Sequence, residues 1–97
     1  MQMADVANFE EFQTKALAAG FDEALERVWA PNTEVPTHTH PFDASALVTQ
    51  GEMWLTCAGE TKYLTPGGTF ELGCGTPHAE RYGPDGATYW VARRNPC

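Results

Sequence analysis

The chain has 97 residues, enough for one domain with one core, and its five Phe, three Trp and three Tyr argue against a disordered chain. Six Lys and Arg against 13 Asp and Glu give a formal charge of −7, which excludes the basic surface that nucleic acid or an anionic membrane requires. No apolar stretch approaches the roughly 20 residues of a membrane span, so no membrane partner is expected.

Met1-Gln2-Met3-Ala4-Asp5-Val6 lacks a basic n-region and an apolar h-region, so no secretory signal is read there. Residues 1–20 are expected to form a helical segment packed on the rest of the chain, 21–97. Asn8 is the N-cap and Glu11 its capping-box partner. Val6, Phe9, Phe12, Ala16 and Leu17 make the helical stripe, and Gly20 stops it. The acidic residues crowding the first third read as a solvated face.

From Phe21 onward the pattern turns to β. Strands are expected at Leu25–Trp29, Ala44–Thr49, Met53–Cys57, Thr61–Leu64, Thr69–Leu72, His78–Tyr82 and Thr88–Arg93, with Gln50-Gly51 as a turn. Short strands at this spacing, punctuated by Gly and Pro, predict an all-β sandwich or barrel. The end, Asn95-Pro96-Cys97, reads as a frayed tail. Cys57, Cys74 and Cys97 are odd in number and show no CxxC spacing. They predict no disulfide framework, hence a reducing compartment and a cytoplasmic protein.

All three histidines fall in one two-part pattern: His38 and His40 in Thr37-His38-Thr39-His40-Pro41, then His78 in Gly75-Thr76-Pro77-His78. Two residues apart on an extended strand, His38 and His40 present their rings to the same face. Imidazole is the commonest protein ligand for transition metals, so His38, His40 and His78 are the candidate metal ligands. The metal is a divalent ion, Fe, Mn, Ni, Zn or Cu, which the donor set does not distinguish.

The chain resembles the cupin family over roughly residues 31 to 92. The first cupin motif, H-x-H-x3-E-x6-G, reads here from His38 and His40 to Ala44 and Gly51. The second, G-x5-P-x-G-x2-H-x3-N, reads from Gly67 through Gly73 and Gly75 to His78 and Tyr82. The resemblance implies a double-stranded β-helix, or jelly-roll barrel, with the short helix outside it. The motif proline is Gly73 here and its asparagine Tyr82. The motif glutamate is replaced by Ala44, leaving three neutral imidazoles and more open positions on a metal. Three-histidine cupins include thiol dioxygenases and diketone-cleaving dioxygenases. Asp43 is next to the motif position, but strand alternation turns it to the opposite face unless the strand bulges.

Parity places Ala44, Ala46, Val48, Met53, Leu55, Cys57, Phe70, Leu72, Glu80 and Tyr82 inside. Glu80 and Tyr82 are the candidate catalytic residues. Glu80 shares a face with His78 and can serve as a late ligand, a general base or a hydrogen-bond acceptor behind the ligands, or else pair with Arg81, Arg93 or Arg94. Tyr82 can donate to a bound oxygen or be an ordinary core tyrosine. Cys57 reads as a buried structural thiol and Cys74 as a loop thiol. Leu47, Trp54, Thr56 and Trp90 face outward and suggest a homodimer interface.

The expectation is a small metal-binding cupin enzyme acting on a small molecule, dioxygenase-like if iron-loaded. The alternative is a non-catalytic small-molecule binding or sensor module. A purely structural dimer is the third reading.

Overall fold

The computed structural model describes residues 6–95. The readings placed on Met1 to Asp5 and on Pro96-Cys97 lie outside the described residues.

Among the described residues, one helix, α1 (Phe9–Ala18), precedes six strands. Asn8 caps it as expected: its backbone is extended, and its Oδ1 accepts the Glu11 N–H at 2.8 Å. Phe12 and Ala16 are fully buried against Ala24, Leu47 and Ala92. The Phe9 and Phe12 rings lie 5.8 and 5.9 Å from Trp90. The sheet face carrying Leu47 and Trp90 is therefore covered by the chain's own helix and gives no support to the expected homodimer. Trp54 lies apart from it, with the Arg81 guanidinium 4.1 Å above its ring.

The strands are β1 (Glu23–Trp29), β2 (Glu34–His38), β3 (Asp43–Cys57), β4 (Glu60–Leu64), β5 (Thr69–Leu72) and β6 (His78–Arg94). All pairings are antiparallel. The long strands β3 and β6 pair along most of their length, and each outer strand joins one end of that pair. The first half of β3 and the second half of β6 are flanked by β5 and β1. The second half of β3 and the first half of β6 are flanked by β4 and β2. The topology is that of a jelly roll. Among the described residues, no pairing joins β1 to β5 or β2 to β4, so the sheet is open and not the closed barrel expected.

Ala44, Ala46, Val48, Met53, Leu55, Phe70, Leu72 and Tyr82 share one core cluster, with Cys57 packed on it. Strand parity thus sorted the inward residues correctly. Three boundaries differ from the expectation. β2 was not anticipated as a strand. Gln50-Gly51 is an irregularity inside one continuous strand, with register shifts on either side of it. The chain likewise runs unbroken from Tyr82 to Thr88 within β6.

The physical reason is close contact between the two long strands. Gly51 has φ +75°, and a Cβ there would meet the Gly86 carbonyl oxygen at 2.1 Å. Glycine lets the strands bend together where any side chain would force them apart, so what reads as a turn is a bulge.

Replacing Gly51 by Ala should destabilise the protein beyond the roughly 1–2 kcal/mol of left-handed strain alone. Gly59→Ala, with φ +78° but nothing within 4 Å of the added methyl, should cost only that strain. Urea denaturation of both variants checks the difference.

Candidate metal centre

His38 ends β2, His78 opens β6, and the two are paired directly across the strands. His40 lies in the loop just beyond β2, not on the strand itself. The ring centroids of the three lie 4.3 to 4.9 Å apart. One ligand nitrogen from each can be chosen so that all lie within 4.8 Å of one another. Nitrogens sharing an ion at about 2.0–2.1 Å cannot be more than about 4.2 Å apart, so a small inward turn of the rings completes a three-imidazole set.

The backbone decides which nitrogens face inward. His38 Nδ1 is 2.8 Å from the Pro36 carbonyl, and His78 Nδ1 is 2.9 Å from the Thr76 carbonyl. A carbonyl only accepts, so each Nδ1 carries the proton and donates it. In the neutral ring, Nε2 is then a bare lone pair, as a metal requires. His78 Nε2 is buried and has no hydrogen-bond partner. An acceptor left bare in the interior is costly unless something electropositive meets it. The residues present therefore fit a divalent transition metal.

Two further contacts hold the ligand loops. The Gly75 N–H donates to the His40 carbonyl at 2.9 Å, and the Cys74 N–H donates to Asp43 Oδ1 at 2.8 Å. Asp43 thus keeps away from the imidazoles, as strand alternation expects, and joins the start of β3 to the loop before His78. Cys74 is itself disulfide-bonded, whereas Cys57 is a free thiol. The sequence predicted no disulfide framework, and Cys74 departs from that reading. No helix of the described residues is long and apolar enough to cross a membrane.

Glu80 comes to the same place. It is 7% exposed, and its Oε2 lies 3.4 Å from His38 Nε2 and 3.9 Å from His78 Nε2. The Tyr82 hydroxyl donates to Glu80 Oε1 at 2.7 Å. Burial, then Tyr89 and the Glu80 charge, push the Tyr82 phenol far above its ordinary value, so it stays a proton donor to that carboxylate. Tyr82 is 1% exposed and stacks on Trp29 at 4.8 Å. Of the arginines weighed as partners for Glu80, Arg93 instead lies over the Phe42 ring at 4.6 Å and 3.9 Å from Glu23.

The three histidines and Glu80 line a cavity of about 70 Å³. Arg27, Trp29, Phe42, Tyr89 and Arg93 contribute to its walls. The sequence reading did not place Arg27, Trp29 or Tyr89 here. Alternation was the available signal: Arg27 and Trp29 are two apart on β1, as are Tyr89, Val91 and Arg93 on β6.

No family model matches the sequence, and no curated protein matches it. Solved structures do. The chain is similar to an RmlC-like cupin from Shewanella frigidimarina, 22% identical with a TM-score of 0.66, over 73% of this chain and 63% of that one. It is similar to the polyketide cyclase RemF from Streptomyces resistomycificus, 27% identical with a TM-score of 0.65, over 82% and 61% of the two chains. It is similar to the Cupin_2 domain of an XRE family transcriptional regulator from Enterobacter cloacae, 20% identical with a TM-score of 0.62, over 77% and 82%. The chain is a small cupin-type jelly-roll domain. It spans less than two thirds of the first two of these relatives. Its histidine cluster can hold a divalent transition metal, as the resemblance implied.

Two outcomes are expected of this cupin-type domain. Burial, then the neighbouring His78 and His38, lower the His40 pKa from its ordinary 6.5, and Glu80 only partly opposes them. As pH falls below 6.5, the unfolded chain takes up the His40 proton before the folded one does. Metal-free protein should therefore lose stability as pH drops through and below that value, and His40→Gln should lose less, as thermal melts against pH will read. Asp43→Ala, which frees the Cys74 loop, should weaken zinc binding by roughly 10-fold, measured by chelator competition.

Proposed function

We propose that this domain is a metal-dependent enzyme acting on a small molecule, with His38, His40 and His78 as ligands. The observation that carries the reading is the pair of carbonyl-fixed tautomers that aim bare Nε2 atoms into a lined cavity. A bound divalent metal would supply Lewis acidity, and iron would add oxygen chemistry of the dioxygenase kind.

The chain's own residues define the rest of the site. Glu80 presents one carboxylate oxygen to the centre, and Tyr82 is the positioning residue that holds the other. Phe42, Phe70, Leu72 and Val91 give the cavity apolar walls, while Arg27 and Arg93 give it positive charge. Two of the chain's six basic side chains thus line one small cavity in a protein of charge −7. That concentration favours a compact ligand bearing an anionic group. The name of the polyketide cyclase RemF keeps non-oxidative chemistry within the proposal.

The second reading is a ligand-binding or sensor module. It is favoured by the similarity to the cupin domain of a transcriptional regulator, most of whose length this chain spans.

Purified protein loaded with Fe(II), Mn(II) or Zn(II) should bind one ion per chain. Its stability should rise by about 2.7 kcal/mol when free metal reaches 100 times Kd. His78→Ala should abolish that rise. Turnover of small carboxylates, thiols or diketones by the loaded protein would support the enzyme, and tight binding of a ligand left unchanged would support the sensor. Protein that takes up no metal overturns the metal-dependent enzyme.

A further inference from the structure

We infer that Glu80 is a fourth metal ligand, supplied by β6 in place of the carboxylate that the first cupin motif puts at the position of Ala44. The inference rests on the metal-binding reading above and goes beyond the three-histidine set.

The geometry around Glu80 Oε2 carries it. The two nearest nitrogens, His38 Nε2 at 3.4 Å and His78 Nε2 at 3.9 Å, are the lone-pair nitrogens of rings whose protons are committed to carbonyls. With both rings neutral, a carboxylate oxygen facing two bare nitrogens is a meeting of three acceptors. The fold nonetheless buries all of it: the His78 side chain is 1% exposed and the Glu80 side chain 5%. His78 Nε2 has no hydrogen-bond partner, and solvent does not reach it. Donors at adjacent positions around an ion with bonds of about 2.0–2.2 Å lie roughly 3.0–3.5 Å apart. One of the two separations is within that range and the other just beyond it. A cation among these atoms turns a repulsive cluster into a coordination shell.

The rest of the carboxylate is held ready. Tyr82 donates to Oε1 at 2.7 Å, so the group can present Oε2 as a single donor. Glu80, the third residue of β6, sits opposite Val35 on one side and Leu55 on the other, so its backbone lies between two paired neighbours. Ala44 lines the same cavity, and its methyl leaves open the space that the motif glutamate would take. With Glu80 bound, the ligand set carries one negative charge, unlike the neutral three-imidazole set.

Wild type and Glu80→Gln are compared, each stripped with EDTA and titrated with Co(II) and, separately, Zn(II). Wild type should bind one ion per chain, and the variant should bind roughly 10-fold or more weakly. The visible d–d bands of the Co(II) protein should change in position and intensity, which a merely structural role would not produce. The metal-free variant should melt no lower than metal-free wild type, because the substitution removes a buried acceptor from the cluster. If Glu80→Gln binds both ions as wild type does, with superimposable Co(II) spectra, the fourth ligand is refuted and the three-histidine site stands. If wild type binds neither ion, the metal reading itself is refuted. Should Glu80→Gln not fold, Glu80→Asp replaces it: the shorter arm should weaken binding and move the bands, and unchanged bands refute the inference.

Discussion

The pairing of β2 with the first half of β6 is the constraint on which the site depends. It is a short pairing, from Glu34 opposite Arg81 to His38 opposite His78, and the register shifts between Val35 and His38. Pro36 lies in that interval. It has no N–H for the ladder, which confines it to edges and irregular positions of a sheet. Its carbonyl is put to use instead, accepting the His38 Nδ1 proton. One residue thus disturbs the ladder and fixes the ring tautomer. Without this pairing, His38 has no reason to stand beside His78, and Glu80 has no imidazole before it on that side.

The site is built by withholding hydrogen-bond partners. Almost every buried polar atom in a folded protein is satisfied, and those that are not call for a physical explanation. Here Trp29 Nε1, His78 Nε2 and Arg93 Nε are buried without a hydrogen-bond partner, and all three residues line the one cavity. Each Nδ1 that the structure pairs has a carbonyl, Glu80 Oε1 has a phenol, and His78 Nε2 is left bare. The pattern resembles support of a metal ligand from behind, in which the outer atom is saturated so that the inner one is free to bind.

Much of this could be read in the chain beforehand, for local reasons. The spacing of His38, His40 and His78 within two motifs announced the cluster. Period-two alternation sorted Ala44, Ala46, Val48, Met53 and Leu55 from their outward neighbours. Asn8 and Glu11 announced the helix. Non-local features stayed hidden. Gly51 reads as a turn because glycine marks both turns and bulges, and only its contact with Gly86 decides between them. Trp90 and Leu47 read as a surface for a partner because sequence does not say that the helix folds back on them. Glu80 was placed on the right face by parity, but the bond from Tyr82 and the approach of His38 belong to the assembled sheet. The disulfide at Cys74 was likewise invisible to spacing rules.

β3 and β6 each run through both halves of the jelly roll, 15 and 17 residues long. Neither half owns a private set of central strands, so neither can open without disturbing the ladder that supports the other. Segments coupled in this way tend to melt as one cooperative unit rather than as separate patches. An ion gripped at the end of β2 would therefore act as a rivet: its hold would be transmitted along two shared strands to β1 and β5, which supply none of the three histidines.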